Sequence, residues 1–199
     1  MRLQPLLLAA GLAAAAALAA QPGLAQDRVS IGLQQEPTVL DPTADATASI
    51  DSMLAHNVYQ SLVQVNEQGE IVPDLAASWD VSEDGLVYTF ALVEGATFHD
   101  GAEFDSSDVK FSFDRAMAED STNPSKSIFK PIASVETPDA STVVITLSQP
   151  DAFFLFGLGE GDASIVDPAS AETNATHPVG TGPYRFAGWT RGDRMTLEA

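Results

Sequence analysis

The run Trp79–Arg115, WDVSEDGLVYTFALVEGATFHDGAEFDSSDVKFSFDR, decides the fold. Leu86, Tyr88, Phe90 and Leu92 alternate with Val87, Thr89 and Ala91. A period of two puts the larger apolar set on one face, as a half-buried strand requires. Asp84-Gly85 just before it supplies turn chemistry, and His99-Asp100-Gly101 supplies a second turn. Asp105 lies three residues before Asp108, ahead of Val109, Phe113, Ala116 and Met117 at helical spacing. A carboxylate at the cap accepts otherwise unpaired N–H groups, and one in the first turn opposes the helix dipole. The stretch reads as hairpin, turn and capped helix.

Composition bounds what lies around it. Hydrophobic residues make up 45 % of the 199, enough for a packed core and too many for wholesale disorder. Nine Lys and Arg stand against 28 Asp and Glu, a net charge of -19. A surface that tracks phosphates needs the opposite sign, so nucleic acid is excluded as a partner. Acidity favours cationic ligands in principle, but net charge describes a surface and not a pocket. There is no Cys, hence no disulfide framework and no thiol chemistry. Arg2 followed by the apolar residues 6–20 and then Gly23-Leu24-Ala25 predicts a cleaved secretion signal, cut after Ala25 with Ala19 as a second site. The run is too short for a comfortable membrane span. The alternative is an uncleaved anchor helix. The expected location is the periplasm.

From the cut onward, Val29, Ile31 and Leu33 predict a first strand. Residues 36–42, with Pro37 and Pro42, predict an irregular connection. Ile50, Leu54, Val58 and Leu62, with Met53 beside them, predict a helix carrying His56 as a structural or solvent-facing residue. A hairpin turn is expected at 66–69, a polar loop at 121–127, and paired strands at 132–135 and 142–147. The apolar run 153–156 predicts a helix start packed into the core, or an aromatic wall to a cleft.

Several chemistries are weighed and set aside. Residues 80–85 imitate the start of a calcium loop, but its twelfth position is Ala91, inside the expected strand. His56, His99 and His177 lack metal-ligand spacing, so no metal site is expected. The glycine-rich 157–162 lacks a P-loop Lys and carries Glu160 and Asp162, which would repel phosphate; it reads as a flexible link. No G-x-S-x-G occurs, and no carboxylate pair is singled out for glycoside chemistry.

Further pieces join the central run: Asn57-x-Tyr59-x-x-Leu62, Pro73-Asp74-Leu75-Ala76, and Pro178-Val179-Gly180-Thr181-Gly182-Pro183-Tyr184. With W-x-V-S-x-D-G-L-x-Y-T-F-x-L, G-x-x-F-H-D-G and D-V-K-F-S-F-D-R, this ordered series resembles the family 5 extracellular solute-binding proteins, the peptide- and nickel-binding components of ABC importers. Ala91 and Glu94 depart from it, standing where that family carries basic residues.

The resemblance implies a mixed α/β fold, a two-lobed periplasmic binding protein (type II, a hinged clamp), truncated after the first return to lobe 1. Residues 26–60 would begin lobe 1, 61–174 form a second, inserted domain, and 175–199 return to lobe 1, with the remaining C-terminal lobe absent. The charged groups that pair with peptide termini would lie beyond residue 199. The implied function is capture of a peptide, nickel chelate or oligosaccharide, peptide foremost, for delivery to an inner-membrane permease. The protein would act as a monomer, with no cofactor and no catalysis. Its implied ligand contacts are Asp45, Ala46, Thr47 and Ala48, chiefly through backbone groups, with Phe129 either beside the ligand or in the core. The alternative function is a secreted hydrolase of peptides or glycosides.

Overall fold

The computed structural model describes residues 28–45 and 47–199. The expected secretion signal lies outside the described residues. The elements are α1 (Ala48–Leu54), β1 (Val63–Val65), β2 (Ile71–Pro73), β3 (Ala76–Val81), β4 (Val87–Leu92), α2 (Ser106–Met117), α3 (Lys126–Phe129), β5 (Ile132–Asp139), β6 (Thr142–Leu147), α4 (Phe154–Gly157), β7 (Arg185–Thr190) and β8 (Arg194–Glu198). Four strands form an antiparallel sheet in the order β3-β4-β6-β5, flanked by the two-stranded pairs β1-β2 and β7-β8.

The sheet is built as its alternation dictates. Tyr88, Phe90 and Leu92 are buried, while Thr89 and Ala91 are exposed. Tyr88 pairs with Ile145 and Phe90 with Val143 across the ladder, so the two apolar faces coincide. The β3–β4 turn closes through Gly85, whose φ of 71° suits a residue without a Cβ. The Asp84 carboxylate accepts from the Ser82 hydroxyl (2.6 Å) and the Leu86 amide (3.1 Å).

Helix α2 carries the expected cap in full. Asp105 accepts from the Ser107 amide, and Asp108 Oδ2 accepts from the Asp105 amide at 2.9 Å, a reciprocal capping box. Val109, Phe113 and Ala116 face inward, whereas Met117 is 38 % exposed.

Two apolar clusters divide the chain. The larger holds buried residues from Leu62 to Ile165. The smaller joins Leu40, Ile50, Leu54, Val58 and Tyr59 to Val166 and Ala171, with Phe186, Trp189, Met195 and Leu197 packed against it.

Four expectations need correction. Residues 28–33 carry no regular secondary structure, because alternation makes a strand only where ladder hydrogen bonds form. The helix from Ser49 stops at Leu54: Ala55 is extended, and His56 has a φ of 57°. Val58 and Leu62 are nevertheless fully buried, so the apolar period was real although the helix was not. The aromatic run does start a helix, α4, but of its three phenylalanines only Phe154 reaches the core; Phe153 is 78 % exposed and Phe156 42 %. The 157–162 segment is packed, not loose: a Cβ on Gly159 would lie 2.9 Å from the Val65 side chain, and one on Gly161 would lie 2.3 Å from Asp51 Oδ1.

Candidate functional site

The irregular residues 38–45 and Thr47 are held by their own side chains and by α2. Asp41, 2 % exposed, accepts from the Thr43 amide (2.9 Å) and hydroxyl (2.6 Å) through Oδ1. Its Oδ2 accepts from Arg115 Nη2 at 2.9 Å, while Arg115 Nη1 donates to Thr43 Oγ1 at 2.5 Å. A guanidinium fork is suited to two acceptors at once, so Arg115 pins the turn to the helix. Asp45 Oδ1 accepts from the Thr47 amide (2.9 Å) and hydroxyl (2.6 Å), and Thr38 donates to its other oxygen. The Thr38 bond first, then those from Thr47, hold the Asp45 carboxyl below the usual range.

Of the expected ligand contacts, Asp45 and Thr47 are therefore half-buried and engaged with each other, and Ala46 lies outside the described residues. Phe129 is a core residue, 2 % exposed, with its ring 5.3 Å from that of Phe113 in edge contact. It also lines a cavity of about 210 Å³ whose wall includes Thr43 and Arg115. The fold thus brings Phe129 and the start of the 43–47 segment to one cavity; Asp45 and Thr47 do not line it.

The far wall comes from the chain after α4. Asn123 Nδ2 donates to the Asp162 carbonyl at 2.8 Å, and the Ser125 hydroxyl donates to Asp162 Oδ2. Burial raises the Asp162 carboxyl above its ordinary value, with the Ser125 bond opposing. Asp51 is also raised, by burial first and then by the nearby charges of Asp162 and Glu160.

The histidines serve as fasteners. His99 Nδ1 accepts from the Gly180 amide (3.3 Å), leaving Nε2 to donate to the Gly182 carbonyl (2.9 Å). His56 Nδ1 lies 3.5 Å from Asp74 Oδ2, and Nε2 lies 3.3 Å from the Gly159 carbonyl. Asp74 also accepts from the Ser61 amide (3.1 Å) and from Gln60 Nε2. His177 sits beside Thr176 and edge-on to Phe186. Among the described residues, no three His, Cys, Asp or Glu are grouped to hold a metal ion. The cavity wall is made of hydroxyls, an amide and carboxylates as well as apolar side chains.

Sequence reading missed Arg115, Asn123, Asp162 and Ser164 as parts of one wall. Arg115 ended the quoted motif and was given no role of its own. Asp162 entered only as an objection to phosphate. A serine beside buried aliphatics, as in Ser164-Ile165-Val166, gave no signal at all.

Residues 70–199 match the model for bacterial extracellular solute-binding proteins, family 5 Middle. The chain is 37 % identical over 196 residues to the glutathione-binding protein GsiB of Pectobacterium atrosepticum, covering 96 % of this chain and 38 % of that one. Among solved structures, AgaA from A. tumefacien R10 in complex with agropinic acid superposes with a TM-score of 0.77 at 35 % identity, over 82 % of this chain and 34 % of that one. DppA from Helicobacter pylori, a periplasmic binding protein in complex with the peptide STSA, gives 0.69 at 33 % identity, over 80 % and 36 %. The mixed α/β fold is accordingly that of the two-lobed periplasmic binding proteins, and the chain spans 38 % of the length of its curated relative. It belongs to the family 5 bacterial extracellular solute-binding proteins.

Proposed function

We propose that this chain is part of the substrate-binding component of an ABC importer, which captures a small solute in the periplasm and hands it to an inner-membrane permease. The observation that carries this reading is the family match over residues 70–199, joined to a fold superposing on ligand-bound binding proteins. A peptide is the preferred solute. Glutathione, itself a tripeptide, and STSA are what two similar proteins bind. The protein works as a monomer that binds and releases, without catalysis.

The division into lobes is read as residues 26–60, 61–174 and 175–199. The separation of the core into two apolar clusters supports a division into two lobes. Asp45, Ala46, Thr47 and Ala48 would offer backbone groups to an extended ligand in the manner of strand addition. Phe129, a core residue, would contribute packing and not a ligand contact. Closure of one lobe on the other would trap the solute.

Native mass spectrometry of the full-length secreted protein tests the reading. A co-purifying solute of peptide mass, recovered unchanged, is the expected result. Turnover of a peptide or glycoside panel would instead establish the secreted hydrolase.

A further inference from the structure

His56 stands where α1 has ended, and among the described residues it is the one non-glycine at positive φ, at 57°. Such a backbone persists where its surroundings fix it, and histidine is among the side chains that tolerate it. Both ring nitrogens face acceptors. Nε2 lies 3.3 Å from the Gly159 carbonyl, and Nδ1 lies 3.5 Å from Asp74 Oδ2. Neither neighbour has a proton to give: one is a backbone carbonyl, and the other a carboxylate that already accepts from the Ser61 amide and Gln60 Nε2. Nδ1 is shielded from solvent, so bulk water cannot stand in. A neutral imidazole carries one N–H, and only the imidazolium carries two. A neutral ring therefore fails one acceptor and turns a lone pair toward it.

The charged groups around the ring are all carboxylates: Asp51 on α1, Asp74 between β2 and β3, and Glu160 after α4. The Asp74 bond is the largest influence holding the imidazole above its ordinary value, with burial opposing it. The groups joined here belong to different parts of the core. His56 lies between Leu54 and Val58 of the smaller apolar cluster. Asp74 precedes Leu75, and Gly159 follows Leu158, both of the larger cluster. Two further bonds at this place do not titrate: the Ile165 amide donates to the Gln60 carbonyl at 2.8 Å, and the Ser61 hydroxyl to the Glu160 carbonyl at 3.4 Å.

We propose that His56 is a protonation-gated tie between the two apolar clusters: as an imidazolium it donates from Nδ1 to Asp74 and from Nε2 to the Gly159 carbonyl, and as a neutral ring it must release one of them. With the ring charged, residues 159–161 are fastened to the end of α1. With the ring neutral, a bond is lost and Asp51, Asp74 and Glu160 face one another without a cation between them. The glycine-rich segment then opens more readily, although the bonds that do not titrate remain. The gate goes beyond the solute-binding reading and does not depend on which solute is bound.

The test uses the full-length secreted protein and two exchange measurements read by mass spectrometry. Exchange of the imidazole C2 hydrogen titrates each histidine separately, and His56 is expected to titrate above its ordinary value of 6.5. Amide exchange over residues 157–161, corrected for the intrinsic rate at each pH, is expected to be slower at pH 5.5 than at pH 8.5 by about tenfold, the order of one charge-assisted hydrogen bond. His56→Asn tolerates the left-handed backbone and has no proton to lose, so at both pH values it should exchange as the wild type does at pH 8.5. If near-UV circular dichroism shows that variant unfolded, Asp74→Asn replaces it and should bring the His56 titration down toward 6.5 and shrink the pH effect. A His56 titration at or below 6.5 in the wild type would overturn the inference, as would protection differing by less than about twofold between the two pH values. A pH effect that persists undiminished in a folded variant would overturn it too. Each of these results leaves the solute-binding reading standing.

Discussion

Arg115 and Asp41 show how one side chain can hold an irregular segment. Asp41 is almost wholly inaccessible, and Arg115 is its ion-pair partner, at 2.9 Å with 31 % of the arginine side chain exposed. Arg115→Ala should cost about 2 kcal/mol, less than for a fully dry pair, because it strands a buried carboxylate that water reaches only in part. Urea unfolding checks this; a change under about 0.5 kcal/mol would mean that Asp41 needs no countercharge. Arg115→Lys should recover the charge but not the second bond to Thr43. Asp108 gives a pH signature. Burial, opposed by the Asp105 amide and aided by the charges of Asp105 and Asp167, raises its carboxyl to about 6. Its ordinary value is 3.8, so between these two the folded chain keeps a proton that the unfolded chain has lost. The stability it contributes is therefore fully present below the ordinary value and is lost as pH rises toward 6. Asp108→Asn, which can still accept from the Asp105 amide, should flatten that slope and add about 1 kcal/mol at neutral pH. His56, raised mainly by Asp74, has the same sign in a higher window: its contribution is intact below its ordinary value of 6.5 and fades above it. Denaturation midpoints from pH 4 to pH 8 separate the two.

Elements differed in how far their own residues determined them. The β3–β4 hairpin and α2 were legible because every signal was local: alternation, a glycine at positive φ, a carboxylate three residues before another. The failure of the long helix was not legible. Asn57 and Val58 have carbonyls that a helix would have used within itself; here they accept from the Tyr184 and Gly182 amides, both at 2.9 Å. A partner more than a hundred residues away took the bonds. The same crossing explains its glycines. A Cβ on Gly180 would lie 2.0 Å from the Val58 carbonyl oxygen, and one on Gly182 would lie 2.4 Å from that of Asn57. Gly182→Ala should therefore cost about 3 kcal/mol, since backbone must move to admit the methyl. Thermal melts would register it, whereas alanine at the open Gly188 position should have a much smaller effect. A mild Gly182→Ala phenotype would refute the tight crossing.

At the scale of the molecule, two clusters meet where the chain passes from Leu62 back through Val166, and the candidate cavity lies at that meeting. The chain spans 38 % of its curated relative, so a solute enclosed between lobes would find here only part of its contacts. Residues 26–199 alone should bind peptides more weakly than micromolar. Calorimetry showing micromolar binding would contradict that expectation and place the determinants within this stretch. The sequence by itself determined the family, through its ordered series of motifs, and the β3–β4 hairpin and the capped helix, because those two elements rest on residues a few positions apart whose pattern has one physical reading. The end of α1, the convergence of Arg115 on Asp41, and the two acceptors facing His56 were decided only by tertiary structure. Each depends on groups far apart in the chain, and no local pattern records which distant donor a carbonyl or a carboxylate will meet.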